Sequence, residues 1–99
     1  MKQYETMYIV KSSLEEAARK ELMESMHGII TAHGGKIDKV DEWGMRDFAY
    51  RIDDMTKGYY VVLTYTVDVE GLNEFTRLMR INNNIVRMMT ISTDEKHGK

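Results

Sequence analysis

Ninety-nine residues suffice for one domain with a single core, and a hydrophobic fraction of 42% excludes intrinsic disorder. With 14 basic against 16 acidic residues, the formal charge of −2 excludes a protein that grips nucleic acid by bulk charge alone. RNA would have to be held by a local basic cluster, or beside a more basic partner.

Cysteine is absent, which removes disulfides and thiolate metal sites and fits a cytoplasmic protein. No apolar run approaches the ~18 residues of a membrane span, and the start, Met1 to Glu5, enters a strand pattern with no signal-peptide block. Proline is absent too, so charge must protect any edge strand. With no repeat or linker visible, a single domain is expected over 1–93, with a short tail at 94–99.

Tyr4 to Val10 alternates as a strand, with Tyr4, Thr6, Tyr8 and Val10 on one face and Glu5, Met7 and Ile9 on the other. Ser13, with Glu16 three residues on, reads as the capping box of a helix that Gly34-Gly35 ends. Leu14, Ala17, Ala18, Leu22, Met26, Ile29 and Ile30 form its inward stripe over about five turns. Lys36 to Ile52 reads as one long strand with a defect. Trp43 and Met45 share one parity, Phe48, Tyr50 and Ile52 the other, and Gly44 marks the bulge.

Residues 53–58 read as a turn. Tyr59 to Val67 is the strongest strand, with Tyr59, Val61, Leu63, Tyr65 and Val67 facing the core. Asp68 caps a second helix to about Ile81, with Leu72, Phe75, Leu78 and Met79 inward. Asn82-Asn83-Asn84 breaks it, and Ile85 to Thr93 is the last strand.

This order predicts an α+β fold of two split βαβ halves: one antiparallel sheet with both helices on one face. The other face is then open. Tyr60 and Val62 fall on it, with Met89 and Ile91, and an even register across the turn adds Arg46, Phe48 and Tyr50. An apolar patch on an uncovered sheet points to a protein partner.

Reactive chemistry is sparse. His27 and His33 are six apart, which misses the spacing of a helical zinc pair. Glu15-Glu16, Asp41-Glu42 and Asp53-Asp54 are adjacent pairs that diverge on regular elements. Gly34-Gly35-Lys36 is a helix stop, not a phosphate loop. No catalytic group, metal, cofactor or small-molecule substrate is expected. Arg77, Arg80 and Arg87, around the asparagine loop, suit phosphate and sugar contacts, against the plainer reading of a solvated arginine face.

Lys57-Gly58-Tyr59-Tyr60-Val61-Val62-Leu63-Thr64 partly matches the octapeptide of RNA-recognition-motif domains. The alternative function is therefore an autonomous single-stranded RNA-binding domain. That reading requires Tyr59 to stack on bases from the open face.

From Tyr4 to about Thr93 the chain resembles the bacterial small-subunit ribosomal protein six family. Gly44-Met45-Arg46-Asp47-Phe48-Ala49-Tyr50-Arg51-Ile52 follows the family signature, with Phe48 in place of the usual leucine and Asp53 beyond it where a basic or small residue is usual. Lys57-Gly58-Tyr59-Tyr60 and the run from Leu78 to Arg87 resemble two further family segments, while the proline near position 12 and the long acidic tail of some relatives are missing. The resemblance implies a ferredoxin-like βαββαβ sandwich: a four-stranded antiparallel sheet with two helices on one face. It implies a non-catalytic, ribosome-associated, cytoplasmic constituent of the small subunit. Such a protein binds the central domain (platform) of 16S rRNA together with small-subunit ribosomal protein eighteen. By the same resemblance Lys2, Arg46, Arg80, Asn84 and Arg87 are the RNA-binding candidates, and Phe48, Tyr50 and Tyr60 the partner-protein surface.

Overall fold

Alternation in the first strand, β1 (Lys2–Lys11), decides which side of the sheet is covered. Tyr4, Thr6, Tyr8 and Val10 are buried beneath the helices, while Glu5 and Met7 on the other parity stay half-exposed. The elements that follow are α1 (Glu16–Ala32), β2 (Lys36–Ile52), β3 (Met55–Val67), α2 (Val69–Arg80) and β4 (Ile85–Ser92). The computed structural model describes residues 1–52 and 55–93, without the side chains of residues 48–52 and 55. The expected tail at 94–99 lies outside the described residues.

The strands form one antiparallel sheet in the order β2-β3-β1-β4. β1 and β3 are central, and β2 and β4 are the edges. This is the ferredoxin-like arrangement, with both helices packed on one face. The core joins Tyr4, Tyr8 and Val10 of β1 and Val61, Leu63, Tyr65 and Val67 of β3 to Met23, Met26 and Ile30 of α1 and Phe75 and Met79 of α2.

Several local expectations are corrected. Ser13 and Glu16 form no capping box: α1 begins at Glu16 behind Glu15, which makes no side-chain cap bond. A turn closed by Leu14 N–H donating to the Lys11 carbonyl at 3.3 Å occupies those residues and lets Leu14 pack on the core. Ala17 is exposed, and Met23 takes its expected place inside. Thr56, Lys57 and Gly58 belong to β3 instead of forming a turn, because β2 continues alongside: Asp47 opposes Lys57 and Arg46 opposes Gly58.

Other signals hold. Gly34 takes φ +80 after α1, and Gly35 N–H donates back to the Ile30 carbonyl at 2.9 Å. Asp68 caps α2, its carboxylate accepting from Gly71 N–H at 2.8 Å. Gly71 is buried there, and the packing leaves no room for a side chain, since a Cβ would lie 2.4 Å from Val67 Cγ2. The asparagine loop closes by an Asx turn, Asn84 N–H donating to Asn82 Oδ1 at 2.8 Å.

Candidate macromolecular interface

On the open face the centre is apolar. Across the sheet run the rows Gly44–Tyr60–Ile9–Arg87 and Asp41–Val62–Met7–Met89. Ile9 is only 2% exposed although no helix covers this side, so its neighbours shield it. Trp43 and Met89 remain open, at 43% and 56%. The expected placement of Tyr60, Val62, Met89 and Ile91 on this face therefore agrees with the strand register.

The β2 defect lies at Gly44, which takes φ +87 where the register shifts between Glu42 and Gly44. Its effect differs from the parity reading. Trp43 turns to the open face, while Met45, opposite Tyr59, lies on the helix side. Trp43 lies parallel to Tyr60 (4° between planes, centroids 6.2 Å apart), and its Nε1 donates to Asp41 at 3.2 Å. The Arg46 guanidinium lies 5.5 Å from the Trp43 ring, and its Nε donates to the Trp43 carbonyl at 3.3 Å. The side chains of Phe48 and Tyr50 lie outside the described residues.

Basic groups gather at one end of the sheet. Arg46 opposes Gly58, Gly58 opposes Lys11, and Lys11 N–H donates to the Asn84 carbonyl at 2.9 Å, so three strands and the asparagine loop meet in one row. Arg80 and Arg87 line a groove of about 400 Å³ between α2 and the edge strand β4, with Thr76, Val86 and Thr90. Arg77 instead pairs with Glu74 at 3.0 Å along the helix. Among the described residues, no hydrogen bond ties down the Arg80, Asn84 or Arg87 side chain.

Lys2 does not join them. It opposes Val67 at the far end of β1, roughly 30 Å away at ~3.3 Å per residue. For Lys11 the available sequence signal is its odd parity on β1. For Trp43 parity does not encode which way the bulge turns the side chain.

The helix side holds polar groups of a different kind. Tyr59 lies there, its ring 3.9 Å from the Arg19 guanidinium and its hydroxyl donating to Glu42 at 2.6 Å, a bond that raises the phenol's pKa. Tyr59 thus faces away from the open surface, which overturns the base-stacking role required by the RNA-recognition reading. His27 is half-buried and shares a 2.9 Å hydrogen bond with the hydroxyl of fully buried Tyr8. Burial lowers the pKa of His27, against the opposing pull of Glu42 and Glu24, and burial raises that of Tyr8. His33 caps α1. Among the described residues no buried polar side-chain atom lacks a partner, no cluster is suited to a metal ion, and no helix is long and apolar enough to cross a membrane.

The arrangement is thus an uncovered apolar face and a basic end on one sheet. Comparison with known proteins gives the family. The family described as Ribosomal protein S6 matches residues 3–92. The chain is 45% identical over 96 residues to small ribosomal subunit protein bS6 of Halalkalibacterium halodurans, covering 97% of this chain and 100% of that one. It is 43% identical, with the same coverage, to the protein of that name from Shouchella clausii. A crystal structure of 30S ribosomal protein S6 from Thermotoga maritima superposes with a TM-score of 0.88 at 35% identity, over 96% of this chain and 91% of that one. Those relatives are structural proteins of the ribosome, not enzymes. With its ferredoxin-like sheet open on one side, this chain belongs to the ribosomal protein S6 family of the small subunit.

Proposed function

We propose that the chain is built into the small ribosomal subunit in the cytoplasm, where it binds the central domain of 16S rRNA jointly with small-subunit ribosomal protein eighteen. The observation that carries this reading is the pairing, on one sheet, of an uncovered apolar face with basic groups at its end. The face through Tyr60 serves the protein partner, with Phe48 and Tyr50 of the same hairpin. Arg46, Arg80, Asn84 and Arg87, with Lys11 beside them, serve the RNA. Lys2 makes a separate contact at the other end of β1. A net charge of −2 suits shared binding, since a basic partner can neutralise most of the phosphates.

Two measurements test this. The tagged chain should co-purify with small subunits from cells. In vitro, rRNA should bind weakly to the chain alone and tightly once protein eighteen is added. Equally tight binding without the partner would overturn joint recognition.

A further inference from the structure

We propose that a hollow on the open face receives one cationic side chain, arginine above all, from a basic segment of the partner protein. The inference rests on the reading that this face docks a protein, and it adds the chemistry being recognised. The hollow measures about 300 Å³ and is lined by Glu5, Met7, Trp43, Val62, Met89 and Ile91. Its walls are therefore aliphatic and thioether groups, one indole and one carboxylate.

An arginine side chain matches each of them. Its methylene stem covers the apolar wall, its guanidinium stacks on the aromatic ring, and its planar fork suits a carboxylate. The Trp43 ring already lies near one guanidinium, that of Arg46, and still lines the hollow with 43% of the residue exposed. A carboxylate accepts several hydrogen bonds at once, so Glu5 can serve an incoming group beside any contact it makes within the chain.

Charge selects the occupant. Asp41 lies in the row next to Glu5 and accepts from Trp43 Nε1 at 3.2 Å. Asp38 is on the same side, where hydrogen bonds from Thr66 (2.7 Å) and Gln3 (3.1 Å) hold its carboxyl below the usual range, and Lys36 pairs with it at 3.6 Å. Lys39 shares the row of Glu5, and Arg46 lies against Trp43, but the charged residue that lines the hollow itself is Glu5. A nucleotide stacked on Trp43 here would bring its phosphate towards Glu5 and Asp41, and a second copy would bring its own carboxylates. A Lys/Arg-rich protein segment meets neither obstacle.

The test uses the full chain titrated with full-length small-subunit protein eighteen by calorimetry. Glu5→Gln and Trp43→Leu should each weaken binding about tenfold with melting unchanged. One partner Arg→Met or Lys→Met substitution should lose its effect in the Glu5→Gln background. If Trp43→Leu melts early, the exposed-face change Glu5→Gln carries the test. Binding of both variants within about twofold of the unsubstituted chain overturns the hollow while leaving partner docking intact. No binding by the unsubstituted chain overturns the proposed function and this inference with it. Quenching of Trp43, the chain's one tryptophan, by short unpaired RNA without the partner overturns the protein occupant in favour of a nucleobase.

Discussion

Thr6 has no solvent exposure, and its hydroxyl lies 2.7 Å from Tyr65 Oη and 2.8 Å from Thr90 Oγ1. Thr6→Val keeps the shape and removes that link. The cost should be about 1–2 kcal/mol, the lower end applying if Tyr65 and Thr90 then bond each other. Urea denaturation measures it, and a neutral result would show that the three hydroxyls contribute nothing net.

His27 gives the pH dependence. Its folded pKa is lowered, so the folded state resists the proton that the unfolded state accepts. This stability is complete above the unfolded value of about 6.5 and is lost as pH falls from there towards the lowered folded value. His27→Gln can still bond the Tyr8 hydroxyl but cannot charge. The unsubstituted chain should lose stability between pH 7.5 and 5.5, and His27→Gln should lose clearly less. Parallel losses would assign the effect to other groups.

At the scale of elements, two helical glycines separate propensity from packing. In an exposed helix interior Gly→Ala gains about 1 kcal/mol. Gly28 of α1 is exposed with nothing within 4 Å of a built Cβ, so Gly28→Ala should gain that amount. Gly71 of α2 is buried, and a Cβ there would lie 2.4 Å from Val67 Cγ2 and 3.0 Å from His33 Cβ. Overpacking of this kind costs about 1–3 kcal/mol, enough to cancel or reverse the helical gain. Thermal melts should therefore rise for Gly28→Ala and fall, or fail to rise, for Gly71→Ala. A rise of equal size in both would mean that α2 shifts freely on the sheet.

For the whole molecule the two surfaces should separate by their salt response. Each lost phosphate contact should lower the slope of log affinity against log salt by about 0.7–0.9. Arg80→Ala and Arg87→Ala should show this in the complex with rRNA and protein eighteen, whereas Arg77→Ala, whose charge is paired with Glu74, should change the slope little. Unchanged slopes for Arg80→Ala and Arg87→Ala would clear both residues of phosphate contact. Changes in the apolar face should alter affinity at all salt concentrations alike.

Order and type of the elements were legible in the sequence because they depend on local periodicity: the alternation of Tyr4 to Val10, the apolar odd set of Tyr59 to Val67, the Asp68 cap and the Gly34-Gly35 stop. The candidate surfaces were legible in part, through Arg46, Tyr60, Arg80, Asn84 and Arg87. Tertiary structure decided what local pattern does not encode. Pairing beyond Gly58 turned an expected loop into strand, and the sense of the Gly44 bulge sent Trp43 and Met45 to opposite faces. Packing displaced the Ser13 cap and drew half-buried His27 against Tyr8. The separation of Lys2 from the other basic residues also arose only there. Distance between residues far apart in sequence follows from strand register, and register is a property of the paired sheet, not of any single strand.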